Sequence, residues 1–589
     1  MEKRSLRLLL DTFIIGFVGA LAAYVFAHMV DYCRELFLVK IAQYRPPELP
    51  NEGGSLQEWI GAYGLHLIPV VTTLGGLLAG LIVYLFAPEA RGHGTDAAIR
   101  AFHFGKGEVK FQVPFVKMVA SAITLGSGGS AGREGPTAQI ASGIGAIYGH
   151  LTKRPPHEKR LLLLMGMAAG LSAIFRSPIG CAFFAIEVLY SQIEFESKAL
   201  LYTLISAVVA YVFIGFLSGG WNPLFSLPPS VTDISGKEYL FFAVLGVFSG
   251  IMGAIMPNVF GVVHSFFEGL PLPFFLKPAL GGLLLGLLAL ALPQILGIGY
   301  GWVQHAINGD LSGNLMLTLA FAKCLGFALT VGSGGSGGDF APSLYVGGML
   351  GGFVASLFHQ NPAAYIVVGM ASVFGAAARA PIANSLIVVE ITGGFHLLPA
   401  AGLSVMLAYV IQTILSNYLP YPSLYESQVP TPVHSPAHRG EFFTDILADI
   451  KVKDIFRPSR VWAVIPEDMS FRQFLKVFGR TEQHYFPVVD KEGRLVGIFS
   501  VNDVRPFLFD EDLKDILVIK DIARRDVITT HPSEDINTVL RKFTIRNIDQ
   551  LPVVADNDPH RFLGMISRRE VINFYNQRLN EFKRRASRG

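Results

Sequence analysis

The chain has 589 residues, 51% of them hydrophobic and 16% charged, with a net charge of +3 and a mean hydropathy of +0.45. Ordinary soluble domains carry about 25% charge, which excludes a plain string of such domains. The charge is also unevenly placed: residues 441–589 hold 25 basic and 23 acidic groups, whereas the first 440 hold only 23 and 22.

A membrane part is therefore followed by a soluble part. Neither half has the basic excess that nucleic-acid binding requires. Cys33, Cys181 and Cys324 are scattered, with no metal-ligand spacing and no disulfide framework. Residues 1–7 are basic and precede a long apolar stretch without a small-residue cleavage site, so the first membrane helix is read as retained.

Apolar segments long enough to span about 30 Å of hydrocarbon run from 13 to 26 and on to 39, and over 65–86, 200–216, 239–259, 280–296 and 398–415. Shorter or glycine- and proline-broken segments cover 115–125, 138–148, 161–174 and 344–357. Short helices are tolerated in a bilayer where they are covered by protein or line a cavity. The pattern predicts a transporter-like bundle. Lys3, Arg4, Arg7 and the cluster Lys153, Arg154, Lys159, Arg160 place the N-terminus and that loop in the cytoplasm by the positive-inside rule. The charged C-terminal part is expected there too.

An internal repeat organises the membrane part. Gly126-Ser-Gly-Gly-Ser-Ala-Gly-Arg-Glu-Gly-Pro136 returns as Gly332-Ser-Gly-Gly-Ser-Gly-Gly-Asp-Phe-Ala-Pro342, identical at seven of eleven positions. Lys117 and Lys323 stand nine residues before the two copies. Gly166-Met-Ala recurs at Gly369, Arg176-Ser-Pro-Ile at Arg379, and Glu187 at Glu390, all at one spacing. In transporters such duplication places the substrate near the midplane, between the halves. The soluble end repeats as well: Lys453-Asp-Ile matches Lys520-Asp-Ile, Phe486-Pro-Val-Val matches Leu551-Pro-Val-Val, and Gly497-Ile-Phe-Ser matches Gly564-Met-Ile-Ser. Alternating short β-branched runs and helical periodicity predict two α/β modules.

The glycine-rich copies can do anion chemistry. Glycine lets backbone N–H groups converge, and a helix N-terminus leaves four of them unpaired with roughly half a positive charge. Each such end contributes about 0.3–2 kcal/mol, weak enough to let a conducted ion leave. The alternative is that the glycines serve only close helix packing. Neither copy ends in the Gly-Lys-Ser/Thr of a phosphate-binding loop. Glu134, inside the first copy, is a carboxylate at membrane depth and a functional candidate. It can compete with the anion for its site and leave on protonation, or it can form a salt bridge with Arg133 or Lys117. The two lysines are expected to supply positive potential to the pathway.

Gly132-Arg-Glu-Gly-Pro136, Gly338-Asp-Phe-Ala-Pro342 and Tyr425 in Leu424-Tyr-Glu-Ser resemble three signature regions of the CLC chloride channel and transporter family. The resemblance implies a duplicated inverted-repeat α-helical bundle with broken helices, followed by an α/β cytoplasmic CBS pair. It implies a homodimer in the plasma membrane with one anion pathway per subunit and both termini cytoplasmic. Glu134 resembles the gating glutamate, with anion contacts implied from His93, Gly94, Arg133, Gly135, Phe340, Ala341 and Tyr425. The domains read as 1–430 for transport, with halves of about 1–215 and 235–430. A linker at 431–449, modules at 450–510 and 517–577, and a basic tail at 578–589 follow.

Three positions depart from the family pattern. Gly92-His-Gly-Thr-Asp96 stands where the family has Gly-Ser-Gly-Ile-Pro, so His93 replaces a hydroxyl donor. It can donate one hydrogen bond, or turn away and leave the contact to a backbone amide. Asp339 puts an acid where the family is apolar. Val188 occupies the position at which proton-coupled members carry a glutamate. That favours passive chloride conduction over proton–chloride exchange, with a CBS-bearing cation transporter as a further alternative. No catalytic constellation suggests an enzyme. No cofactor is required, but the modules resemble domains that bind adenine nucleotides in some proteins, and Ser500-Val-Asn-Asp503 keeps the ribose-binding pattern. Ser567-Arg-Arg-Glu570 carries the longer acid. The alternative is a dimerisation module without ligand.

Overall fold

The computed structural model describes residues 2–231, 234–438, 450–457, 461–511, 513–545 and 548–586. It divides into two units, Met1–Ala437 and His438–Gly589.

The first unit opens with α1 (Glu2–Arg34), which continues as a π-helical turn over Glu35–Ile41. Strands β1 (Tyr44–Arg45) and β2 (Trp59–Ile60) pair antiparallel around a loop that carries Glu52. There follow α2 (Ile68–Phe86), α3 (Thr95–His103), α4 (Val113–Gly126), α5 (Glu134–Leu151), α6 (Pro156–Phe175), α7 (Pro178–Glu187) and α8 (Leu200–Ser218). The next eight helices repeat this order. They are α9 (Glu238–Gly269), α10 (Lys277–Ala289), α11 (Tyr300–Asn308), α12 (Gly313–Gly332), α13 (Phe340–Leu357), α14 (Pro362–Ala377), α15 (Pro381–Thr392) and α16 (Leu398–Ser416). Helix α1 packs on α4, α6 and α8 just as α9 packs on α12, α14 and α16. Two helices meet their own counterparts, α2 against α10 and α7 against α15.

Local chemistry places the breaks. Pro178, Pro362 and Pro381 stand in first turns, where a missing N–H costs nothing. Arg176 and Arg379 occupy matching left-handed positions, at φ 54° and 55°, at the ends of α6 and α14. The repeated glutamates have one reciprocal role. Glu187, at the end of α7, accepts from the Ile382 and Ala383 amides at 3.1 and 2.7 Å. Glu390, on α15, accepts from the Ile179 and Gly180 amides at 3.3 and 2.9 Å. Each carboxylate thus satisfies the first-turn donors of the other helix.

Seven helices among the described residues are long and apolar enough to cross a membrane. Leu74, Leu78 and Leu81 of α2 and Val208, Val212 and Phe216 of α8 are exposed, as side chains facing lipid would be. The segment at 280–296, read as a span, is instead broken: α10 stops at Ala289 and a 3-10 turn begins at Pro293. Segments 138–148, 161–174 and 344–357 lie in the longer helices α5, α6 and α13, because glycine, serine and threonine lower hydropathy without ending a helix in a packed interior. In the 431–449 linker, 3-10 turns form at Pro432–His434 and Pro436–His438, and 439–449 lies outside the described residues.

The second unit holds α17 (Val452–Ile455), β3 (Ile465–Pro466), α18 (Phe471–Phe478), β4 (Tyr485–Val489), β5 (Leu495–Ser500) and α19 (Val501–Val504). It continues with α20 (Ile519–Ile522), α21 (Ile536–Ile545), β6 (Gln550–Ala555), β7 (Asp558–Ser567) and α22 (Arg568–Ala586). The tail expected from 578 is therefore helical to Ala586, with 587–589 outside the described residues.

The two modules exchange their leading arms. Val452 and Ile450 pack with Ile536, Phe543 and Ile566 of the second module, and Ile536 N donates to Ile450 O at 2.9 Å. Ile519 packs with Phe471, Phe486 and Phe499 of the first, and its amide donates to Met469 O at 2.9 Å. Truncating a fully buried isoleucine costs about 2–5 kcal/mol. Ile519→Ala is therefore expected to speed amide hydrogen exchange in β4 and β5 of the first module, and not in the second module that Ile519 precedes in sequence.

Candidate anion pathway

Two extended backbone exchanges hold the centre of the first unit. Gly132 N donates to Gly338 O at 2.8 Å, and Gly338 N donates to Gly132 O at 2.7 Å. This antiparallel pair binds the residues just ahead of α5 to those just ahead of α13. A Cβ on Gly338 would lie 2.7 Å from Gly135 N and 2.9 Å from Gly132 O, so only glycine allows this approach. The starts of α3, α5, α11 and α13 all lack a side-chain cap. A first turn that is not capped by a side chain has N–H groups that can bind an anion.

Glu134 is the first residue of α5 and is fully buried. Its Oε1 accepts a hydrogen bond of 2.6 Å from the Tyr300 hydroxyl, while Oε2 has no hydrogen-bond partner among the described residues. Oε2 and the Ala341 amide both border the space left by the missing side chain of Gly132. The carboxylate therefore sits near the N-terminus of α13. Neither Arg133 nor Lys117 bonds it. The Arg133 guanidinium, expected beside the anion, is paired with Glu52.

The two lysines act on backbone. Lys117 Nζ donates to Ala90 O at 3.0 Å and Gly92 O at 2.6 Å. Lys323 Nζ donates to Ile295 O at 2.9 Å and Gly297 O at 2.6 Å. Both ammonium groups are fully buried and hold equivalent loops, Gly92-His-Gly94 ahead of α3 and Gly297-Ile-Gly299 ahead of α11. These loops repeat at an offset of 205, with positive φ at all four glycines. That register was the available signal for Tyr300, which sequence reasoning missed; a shared Gly-x-Gly was too short to stand out.

On the other side of the glycine pair lies His93, which lines a cavity of about 1160 Å³ together with Gly94, Phe260 and Tyr425. The His93 and Tyr425 rings are 5.5 Å apart. Gly94, at φ 88°, packs on the Gly135 carbonyl, and Gly135 packs on the His93 carbonyl. Phe340 begins α13 with its ring 4.0 Å from Phe374 and 4.7 Å from Phe175, which immobilises its amide and that of Ala341. Asp339, just before it, is fully buried, and among the described residues neither carboxylate oxygen has a hydrogen-bond partner of full geometry, although Tyr425 interacts with it. A second cavity, of about 370 Å³, reaches Glu52, Arg133 and Tyr300. The two cavities share no lining residue, and Glu134 and Asp339 line neither.

Val188 is fully buried, and its carbonyl accepts from Gln428 Nε2 at 2.9 Å. In the second unit, Ser500 donates to Asp503 from both its hydroxyl, at 2.6 Å, and its amide, at 2.8 Å. Arg524 donates to the other oxygen at 2.7 Å. Burial alone would raise the Asp503 carboxyl, but these bonds together hold it below the usual carboxylate range. Ser567 bonds Glu570 in the same way, at 2.7 and 2.9 Å.

A hydrogen bond to a charged acceptor contributes about 1.5–3 kcal/mol, and the bond from Tyr300 exists only while Glu134 is seated. Tyr300→Phe is therefore expected to raise the unseated fraction about tenfold or more, read as increased anion flux at neutral pH.

The family model described as voltage-gated chloride channel matches residues 75–413, and the CBS domain model matches 452–510 and 519–576. The voltage-gated ClC-type chloride channel ClcB of Salmonella typhimurium is 29% identical over 428 residues, covering 71% of this chain and 98% of that protein. The crystal structure of a slow cyanobacterial Cl−/H+ antiporter superposes with a TM-score of 0.61 at 24% identity, over 70% of this chain and 96% of that one. A eukaryotic CLC transporter superposes with a TM-score of 0.58 at 19% identity, over 97% of this chain and 99% of that one. With its helix starts gathered around a buried glutamate and the family model matching more than half its length, the chain belongs to the CLC family of chloride channels and transporters and carries a C-terminal CBS pair.

Proposed function

We propose that the protein conducts chloride passively through the bilayer, with Glu134 as the gate. The carrying observation is the seat of the Glu134 carboxylate at the start of α13, against the Ala341 amide. A neutral Glu134 is held less firmly by a positive helix end and yields the place to chloride. Passive conduction is favoured over exchange by Val188, an aliphatic side chain where a proton-accepting acid would stand. The ClcB relatives, named as chloride channels, point the same way. Selectivity for anions over cations follows from four uncapped helix starts and two buried lysines.

The protein is read as a homodimer in the plasma membrane, with both termini in the cytoplasm. The larger cavity, bordered by Arg91, Arg100 and Lys110, then opens inward and the Tyr300 cavity outward. In symmetric chloride, imposing a proton gradient is expected to leave the reversal potential at zero; a shift toward the proton potential would establish exchange instead. Glu134→Gln is expected to hold the pathway open and to remove the dependence of current on pH at the outer face. Current that persists after gluconate replaces chloride would reject anion conduction.

The CBS pair is proposed to bind an adenine nucleotide and bias gating. Ser500 and Asp503 would hold the ribose, since Asp503 retains acceptor capacity beyond its three bonds. Arg524 would face the phosphates, and Ser567 would serve the second module. A bound nucleotide alters gating only through a difference in affinity between conducting and closed states. Calorimetric titration with ATP is expected to show binding that Asp503→Ala removes.

A further inference from the structure

Asp339 is the charged residue of the pathway that gating by Glu134 does not use. Its carboxyl is completely buried immediately before the Phe340 and Ala341 amides, and among the described residues neither oxygen accepts a hydrogen bond of full geometry. Among the described residues the Tyr425 hydroxyl, His93 Nδ1 and the Thr95 hydroxyl likewise close no hydrogen bond of full geometry, although Tyr425 interacts with both Asp339 and Thr95. Among the described residues the other buried acids are bonded, so this incompletely bonded cluster retains the capacity to take a further polar ligand.

The charged and titratable groups facing Asp339 come from every neighbouring element. His93, in the loop before α3, and Lys117, on α4, interact with it electrostatically. So does Asp96 on α3, whose oxygens are taken by the Ser427 amide and hydroxyl at 2.7 and 2.6 Å. Tyr425 stands beside it from the segment after α16. The Lys117 ammonium is committed to two carbonyls, which leaves the Tyr425 hydroxyl as the side-chain donor nearest to bonding the acid. An ionised Asp339 has only acceptors to offer and repels an anion, whereas the neutral acid has an O–H donor.

We propose that Asp339, in its protonated form, is an anion-binding residue: with the Tyr425 hydroxyl, His93 and the Phe340 and Ala341 amides it forms a site that a halide occupies only when Asp339 carries a proton. The proton comes from water in the larger cavity, which His93 and Tyr425 line, and it returns there when the anion leaves. The proposal rests on the reading of this centre as a chloride pathway. It adds a second acid on the opposite side of the Gly132–Gly338 pair from Tyr300.

The test is calorimetric titration of detergent-solubilised full-length E134Q protein with sodium chloride, using sodium gluconate as control. Buffers of different ionisation enthalpy give the number of protons taken up per chloride. Removing Glu134 leaves Asp339 as the pathway carboxyl, so an uptake approaching one proton per chloride is expected at alkaline pH, with affinity falling about tenfold per pH unit there. The double variant E134Q/D339N is expected to bind chloride without proton uptake and independently of pH. Infrared difference spectra of E134Q, chloride minus gluconate, provide a readout that needs no change at Asp339: a protonated carboxyl band should be gained on binding. Chloride binding without proton uptake or without that band overturns the proposal, as does uptake that survives in E134Q/D339N. Absence of any chloride binding overturns the proposal together with the chloride reading; binding without a proton leaves the chloride reading standing.

Discussion

The exchange of two backbone hydrogen bonds between Gly132 and Gly338 is the contact on which the pathway depends. It brings the starts of α5 and α13 nose to nose. Two positive helix ends repel, so such an approach needs backbone bonding to hold it and glycine to allow it. Once it is made, the geometry of the centre follows. The loops before α3 and α11 fall on either side, each tied down by a buried lysine, and one cavity reaches His93 while the other reaches Tyr300. Charge is supplied mainly by oriented amides, which avoids placing a free cation in the pathway.

The inverted repeat makes the two sides equivalent in backbone and unlike in chemistry. Arg133 and Glu134 stand where Asp339 and Phe340 stand in the other half. Tyr300 takes the position of Thr95, and Ile298 that of His93. One side therefore presents a carboxylate bonded to a phenol, and the other an unbonded acid among a histidine and a phenol. Elsewhere the symmetry is kept: Glu187 and Glu390 cap one another's helices, and Arg176 and Arg379 make the same left-handed turn. The side chains around the centre differ between the halves, while these capping and turn residues remain paired. A scaffold residue is constrained twice, by its own half and by its mate.

In the soluble unit, the arm exchange shows how a repeat can mislead about boundaries. Lys453-Asp-Ile opens the first copy of the repeat, yet Ile450 and Val452 just beside it complete the core of the second module, and Ile519 completes that of the first. Two short modules cannot each bury enough apolar surface alone, and the exchange joins them into one body.

Much of this was legible in the residues. The partition of charge separated membrane from soluble parts, and the doubled glycine motif placed two helix starts at the centre, with Glu134 inside one of them. The lysine pair, the Glu187–Glu390 match and the Arg-x-Pro turns also stood out, because their spacing is regular. Composition and spacing along the chain determined those points, since charge cost, glycine freedom and helix starts are local properties. Tertiary structure alone decided that Arg133 turns to Glu52, that Lys117 and Lys323 bind carbonyls, that Tyr300 holds Glu134, and that Tyr425 and His93 stand beside the buried Asp339. These outcomes join residues from 81 to 166 positions apart in the cases of Arg133 and Tyr300, and no local preference encodes which distant group a buried polar side chain will meet.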